Sequence, residues 1–197
     1  MRQLIRGRTL SFHADPADTA AAFSFHEDGA ILIEDGRIAA IGDHARLGQP
    51  GLPETDHRPH LILPGLIDAH LHFPQLQVIA SWGAQLLDWL ETYTFPEEAR
   101  FADPAHAATM ADRFLDLLLA HGTTSAAVFC SVHPQSADAL FSAAEARGMA
   151  LIAGKVMMDR NAPQAILATA TRAHDETTAL IARCPGPRRL GSPIPPP

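Results

Sequence analysis

Residues 61 to 158 repeat one pattern, a short apolar run followed by a longer stretch with helical punctuation. Thr123–Ser131 and Met149–Met158 read as buried strands, since continuous apolar runs of that length fit a strand covered on both faces. LILPGLI, from Leu61, is the first run of the series, and Pro64-Gly65 interrupts it. Between the first two runs, Asp103-Pro104 supplies a cap and a first-turn proline. Met110, Phe114, Leu117 and Leu118 then form an apolar stripe, and Gly122 stops the helix. Ser136–Arg147 is a second helix, ending at Gly148. Strands alternating with helices in this way imply a parallel sheet covered on both faces and joined by right-handed crossovers. A closed barrel and an open doubly wound sheet both satisfy the pattern.

Residues 1 to 60 read instead as a small β module. Its strands are Leu4–Phe12, Ala21–His26 and the run from Ala30 to Asp43, in which Ile31, Ile33, Ile38 and Ile41 flank the hairpin dipeptide Asp35-Gly36. His13, His26, His44, His57 and His60 are scattered in polar or loop surroundings and read as structural or solvated. A net charge of −7 leaves no basic stripe to displace counterions, which excludes a nucleic-acid partner. The start lacks the apolar segment of a secretory signal, and no window has the roughly 18 to 20 apolar residues of a membrane span, so the cytoplasm is expected. Cys130 and Cys184 form no C-x-x-C motif. Cys130 reads as a small buried apolar residue, and no disulfide is expected in a reducing compartment.

The first run ends in Asp68, His70 and His72 on alternate positions, and a period of two places both imidazoles on one strand face. Two neutral imidazoles held by a rigid strand suit zinc or another borderline divalent ion. Such an ion in an open coordination shell lowers the pKa of a bound water to about 7 and supplies hydroxide for attack on an electrophilic carbon. The insertion from Phe73 to Ala102 carries Trp82, Trp89, Tyr93 and Phe95 in a helix-like stretch, and connections of this length are usually functional or mobile. Leu86, Leu87, Trp89, Leu90 and Tyr93 either pack a helix onto the mouth of the sheet or wall a flat heterocycle. The H-x-E and P-C-x-x-C signature of cytidine-type deaminases, the G-x-S-x-G elbow and the P-loop are absent.

The run PGLIDAHLH resembles the first barrel strand of the metal-dependent amidohydrolase superfamily. HFPQ, LLDWLETYTFPEEARF, GTTSAAVF and GKVMMDRNAP resemble its guanine deaminase family, over roughly residues 1 to 183. The resemblance implies an α/β fold, a partial (β/α)8 TIM-type barrel of three βα units in residues 61–183, with a lid insertion at 73–102. It makes residues 1–60 half of a composite β-sandwich. It implies a zinc-dependent hydrolase of purine catabolism that converts guanine to xanthine and ammonia, with one Zn(2+) per subunit, in a cytoplasmic homodimer. His70 and His72 match the first two zinc ligands; His72, Phe73, Pro74, Gln75 and Trp82 match the substrate-contacting positions. Gln75 matches the residue that reads the purine edge, since a carboxamide both donates and accepts. Asp68 matches an acid that supports the ligands. Lys155, a Schiff-base or carbamylated lysine in other amidohydrolases, falls here on a packing position.

The departures from the family carry their own expectations. Its later histidines, its aspartate and its catalytic glutamate have no counterpart, so no catalytic residue is assigned to this chain. Residues 184–197 form a divergent proline-rich tail that no central strand accommodates. The chain as written is therefore expected to be truncated and inactive alone. Two alternatives stay open: a non-catalytic amidohydrolase fragment, and a hydrolase of another aminated heterocycle such as a triazine or an adenosine-like base.

Overall fold

A computed structural model describes residues 1–83 and 85–183, so the proline-rich tail and Cys184 lie outside the described residues. The chain divides into two units, Met1–Pro64 and the part from Gly65 onward.

In the first unit, β1 (Arg2–Phe12), β2 (Phe23–Glu34), β3 (Arg37–Asp43), the single turn α1 (His44–Leu47) and β4 (Glu54–Ile62) build one sheet, ordered β3-β2-β1-β4. Asp35 and Gly36 both take positive φ, 50° and 77°, and pair Glu34 with Arg37. That is the turn whose twist matches the flanking strands. The runs from Ala21 and Ala30 merge into the single strand β2, because the polar residues between them find partners across the sheet. Arg6 grips both carboxylate oxygens of Asp28 at 2.7 and 2.6 Å. Leu61 and Ile62 pair with Arg8 and Thr9, so the sheet extends past residue 60 and the apolar run from Leu61 is split at Pro64. Leu4, Ala30 and Leu32 form a small core, while Phe12, Phe23 and Phe25 remain exposed. His26 and His44 hydrogen-bond Asp43 and Glu54 at 2.8 and 2.9 Å.

The second unit is a three-stranded parallel sheet, β5 (Leu66–His72), β6 (Thr123–Cys130) and β7 (Ala150–Lys155), in that order. Gly65 is required where the chain enters it, since a Cβ there would collide with Thr124. The insertion after β5 runs through the 3-10 turn Phe73–Val78, the helix α2 (Leu86–Trp89), the wider π-helical stretch Leu90–Thr94 and α3 (Phe95–Arg100). Pro96 has no N–H to give to the preceding turn, which fits a helix wound loosely just before it. Leu86 and Leu87, on the single turn α2, are exposed, as the walling alternative and not the packing one requires.

Asp103 caps α4 (Pro104–Ala120) by accepting the Ala105 N–H at 2.9 Å. Its buried stripe is Ala107, Met110, Ala111, Phe114 and Leu115. Leu117, expected in that stripe, is 40% exposed, since the helix contacts the sheet through a narrower seam that alanines allow. α5 (Pro134–Arg147) starts two residues before Ser136, with Pro134 in its first turn, and ends on left-handed Gly148. α6 (Ala170–Arg183) buries Ala173 and Leu180, which lie on one face. Leu71, Ala126, Val128, Leu151 and Ala153 meet the helices in one core. Among the described residues the sheet is covered on that face alone: Phe129 and Ile152 of the opposite face are exposed, which corrects the expectation of two covered faces. No described helix is long and apolar enough to cross a membrane.

Candidate functional site

The carboxyl end of β5 is irregular. Asp68 pairs with Ala126 and Leu71 with Val128, so Ala69 and His70 together face one residue of β6. A bulge of this kind frees a backbone N–H, and the Asp68 carboxylate accepts that of His70 at 3.0 Å. Strict alternation of Asp68, His70 and His72 therefore fails: Asp68 shares register with the core residue Ala126, and its carboxylate serves the bulge.

The two imidazoles still meet. Their ring centroids are 5.1 Å apart and nearly perpendicular. Phe129, opposite His72 on β6, stacks on the His72 ring at 5.1 Å and meets His70 edge-on at 5.4 Å. Partial burial, with His70 beside it, holds the His72 imidazole below its ordinary pKa, in the neutral form that a metal requires. As a donor set the pair fits two positions of a zinc shell. Among the described residues no third His, Cys, Asp or Glu joins them.

The residues after His72 divide. Phe73 is fully buried, its ring 5.0 Å from that of Phe101 and 5.3 Å from that of Phe114, and Pro74 is buried beside it. The 3-10 turn directs both side chains into the core. Gln75 is half-buried, in the neighbourhood of the Glu98 carboxyl. Burial pushes that carboxyl up to about 7, against the opposing effect of the Gln75 donor. Trp82 is 78% exposed and touches none of these groups in the described interactions.

Lys155 lies at the end of β7 on the helix side, buried, with Nζ 3.1 Å from Oε2 of Glu176 on α6. Burial likewise pushes the Cys130 thiol up, as befits an inert core residue. Two residues of the site were missed from sequence. Phe129 was signalled by the alternation in AAVFC, which sets it off from the core residues Val128 and Cys130. Glu98 was signalled only by acids placed among aromatic residues in TFPEEARF.

Comparison with known proteins agrees with this geometry. The chain is 45% identical to guanine deaminase of Escherichia coli K12 over 173 residues, 86% of this chain and 39% of that protein. The solved structure of E. coli guanine deaminase superposes with a TM-score of 0.86 at 41% identity, covering 95% of this chain and 45% of the other. That of the Clostridium enzyme, C. acetobutylicum guanine deaminase with guanine in its active site, superposes with a TM-score of 0.81 at 30% identity, covering 98% and 45%. The chain thus spans less than half the length of these relatives. The amidohydrolase family model matches residues 61–186, and with the mixed α/β fold and the histidine pair at the end of β5 this places the chain in the amidohydrolase family.

Proposed function

We propose that this chain supplies the first metal-binding strand and the purine-reading segment of a guanine deaminase, a zinc hydrolase that converts guanine and water to xanthine and ammonia. One observation carries the reading: His70 and His72 converge at the carboxyl end of β5, and Gln75 follows three residues later. Ligands in parallel α/β folds bind at the carboxyl ends of the strands. Among the described residues the helices lie on one face only, with the histidines on the other, which supports three units of a (β/α)8 barrel over a doubly wound sheet, which has helices on both faces. The exposed Phe12, Phe23 and Phe25 of the first unit support its being half of a composite sandwich.

His70 and His72 would hold the zinc ion, and the bound ion supplies an activated water at neutral pH. Phe129, stacked on His72, fixes that ring. Gln75 presents its carboxamide to the purine edge, and Trp82 closes over the base as part of a lid. Attack forms a bond from the water oxygen to the amino-bearing carbon, and the amine leaves as ammonia once protonated. We assign no proton-transfer residue within this chain. A cytoplasmic homodimer belongs to the same reading.

Zinc content and ammonia release from guanine test it in the full chain. His70→Ala and His72→Ala are each expected to lower zinc affinity by at least tenfold to a hundredfold, the scale of losing even a supporting contact. Unchanged zinc content in both variants would place the metal elsewhere. Ammonia released from a triazine or adenosine but not from guanine would favour the other heterocycle.

A further inference from the structure

One row of residues crosses the open face at the carboxyl end of the parallel sheet, His72 of β5, Phe129 of β6 and Gly154 of β7, since His72 pairs with Phe129 and Phe129 with Gly154. Two of the three carry rings, and the third carries no side chain. The His72 and Phe129 rings stack at 5.1 Å with an interplanar angle of 26°, close to the spacing of about 4.8 Å between neighbouring strands. His72 thus covers one face of the Phe129 ring. The other face turns toward β7, where glycine has nothing to lay against it, and Phe129 is left 45% exposed.

Neither of the usual reasons for a glycine applies to Gly154. Glycine weakens a strand, and β-branched or aromatic residues fit one better. The backbone does not require it, because Gly154 lies inside β7 without a positive φ. Crowding does not require it either: a Cβ here would meet no described atom within 4 Å, whereas at Gly7 and Gly29 it would collide with Ile62 and Thr9. What remains is the use of a strand glycine to let a ligand approach the backbone closely.

We propose that Phe129 and Gly154 form a stacking slot for the flat base, Phe129 its wall and Gly154 its floor. A ring standing over Gly154 continues the row, so that His72, Phe129 and the base follow one another at one strand spacing each. A space one strand wide admits a ring, whose atoms meet their neighbours at about 3.5–4 Å, and a branched side chain at position 154 would fill it. The occupant is a planar heterocycle because ring-on-ring contact is what the row already makes, and because the slot is continuous with the imidazoles. In a barrel the inward side chains of neighbouring strands meet in layers around the axis, which brings the edge of a base over Gly154 toward the ion that His70 and His72 would hold. Phe129 is therefore a binding residue as well as a support for His72. That the base is guanine rests on the reading above.

Binding of free bases to the full chain, with zinc present, tests the slot without turnover. Carbon-13 labelling of the phenylalanines, with Phe129 assigned through Phe129→Leu, reads the contact directly. Guanine is expected to shift the Phe129 ring resonances upfield, the ring-current effect of a stacked base. Gly154→Val should remove that shift and weaken guanine binding about tenfold, the scale of losing one base–aromatic stack. Phe129→Leu should lose as much, and Phe129→Trp, which restores a ring, should recover most of it. A Gly154→Val chain that unfolds at the same denaturant concentration as the unaltered chain and binds guanine as tightly overturns the proposal. Guanine binding that leaves Phe129 unshifted overturns it as well and leaves the guanine reading standing, and so does no detectable binding of guanine, adenine or melamine overturn it. Adenine or melamine shifting Phe129 in a Gly154-dependent way, with guanine silent, supports the slot and counts against the guanine reading alone.

Discussion

The two faces of the β5-β6-β7 sheet are built from the same strands and do different work. On the helix side, Leu71, Ala126, Val128 and Leu151 pack with α4, α5 and the Phe73 ring into one dry core. On the other side, His70, His72 and Phe129 touch one another and remain open. The first face holds the strands rigid, so the second can present imidazoles in fixed geometry without being packed itself. Stability and chemistry are thereby separated across the thickness of one sheet.

The largest effect that tests this separation is a matched pair of aromatic truncations. Phe73→Ala empties a fully buried site and is expected to cost about 3–5 kcal/mol in denaturant unfolding. Phe129→Ala removes a ring that is 45% exposed and should cost about 1 kcal/mol, while loosening the histidines it contacts. Equal losses would mean that the open face also carries the fold.

Much of the covered face was legible in sequence, because its signals are local. Asp103-Pro104 and Gly148 mark helix ends by backbone chemistry alone, and the hairpin at Asp35-Gly36 needs only two residues tolerant of positive φ. The open face was half legible. His70 and His72 are visible as a spaced pair, but the bulge that sets their register depends on pairing with β6, which no local pattern contains. The resemblance marks Phe73 and Pro74 as substrate-contacting, whereas the 3-10 turn that sends them inward is decided by the space between Phe101 and Phe114, which no local pattern contains. Glu98 was hidden for the opposite reason, since acids near a helix start ordinarily face water, and only tertiary contact buries this one.

At the seam between the faces, Glu98 predicts an intermediate effect with a definite sign. Its folded value of about 7 lies above the ordinary value of 4.5, so the native state keeps a proton that the unfolded chain has lost. This contribution to stability is fully present below pH 4.5 and declines as the pH rises toward 7, by at most about 3 kcal/mol. Urea unfolding across that range should show the decline in the unaltered chain and a flatter profile in Glu98→Gln. A rise in stability over the same window, attributable to this residue, would show that the carboxylate is matched by a cation after all.

The smallest effect concerns the bulge that joins the two faces. Asp68 pairs in register with the core residue Ala126, yet its carboxylate reaches back to the N–H of His70 at 3.0 Å. Asp68→Ala leaves that N–H without its partner, and because His70 is exposed, water replaces most of what is lost. Thermal unfolding of the metal-free chain should therefore register about 1 kcal/mol or less. The effect on the site is expected to exceed the effect on the fold, since the bulge sets the angle between the imidazoles and a small rotation separates their nitrogens. Asp68→Asn, which keeps an acceptor at the same reach, should recover most of the zinc affinity lost in Asp68→Ala. Equal loss of zinc in both variants would show that the charge of Asp68 matters and not its hydrogen bond, and the acid would then belong with the ligands on the open face.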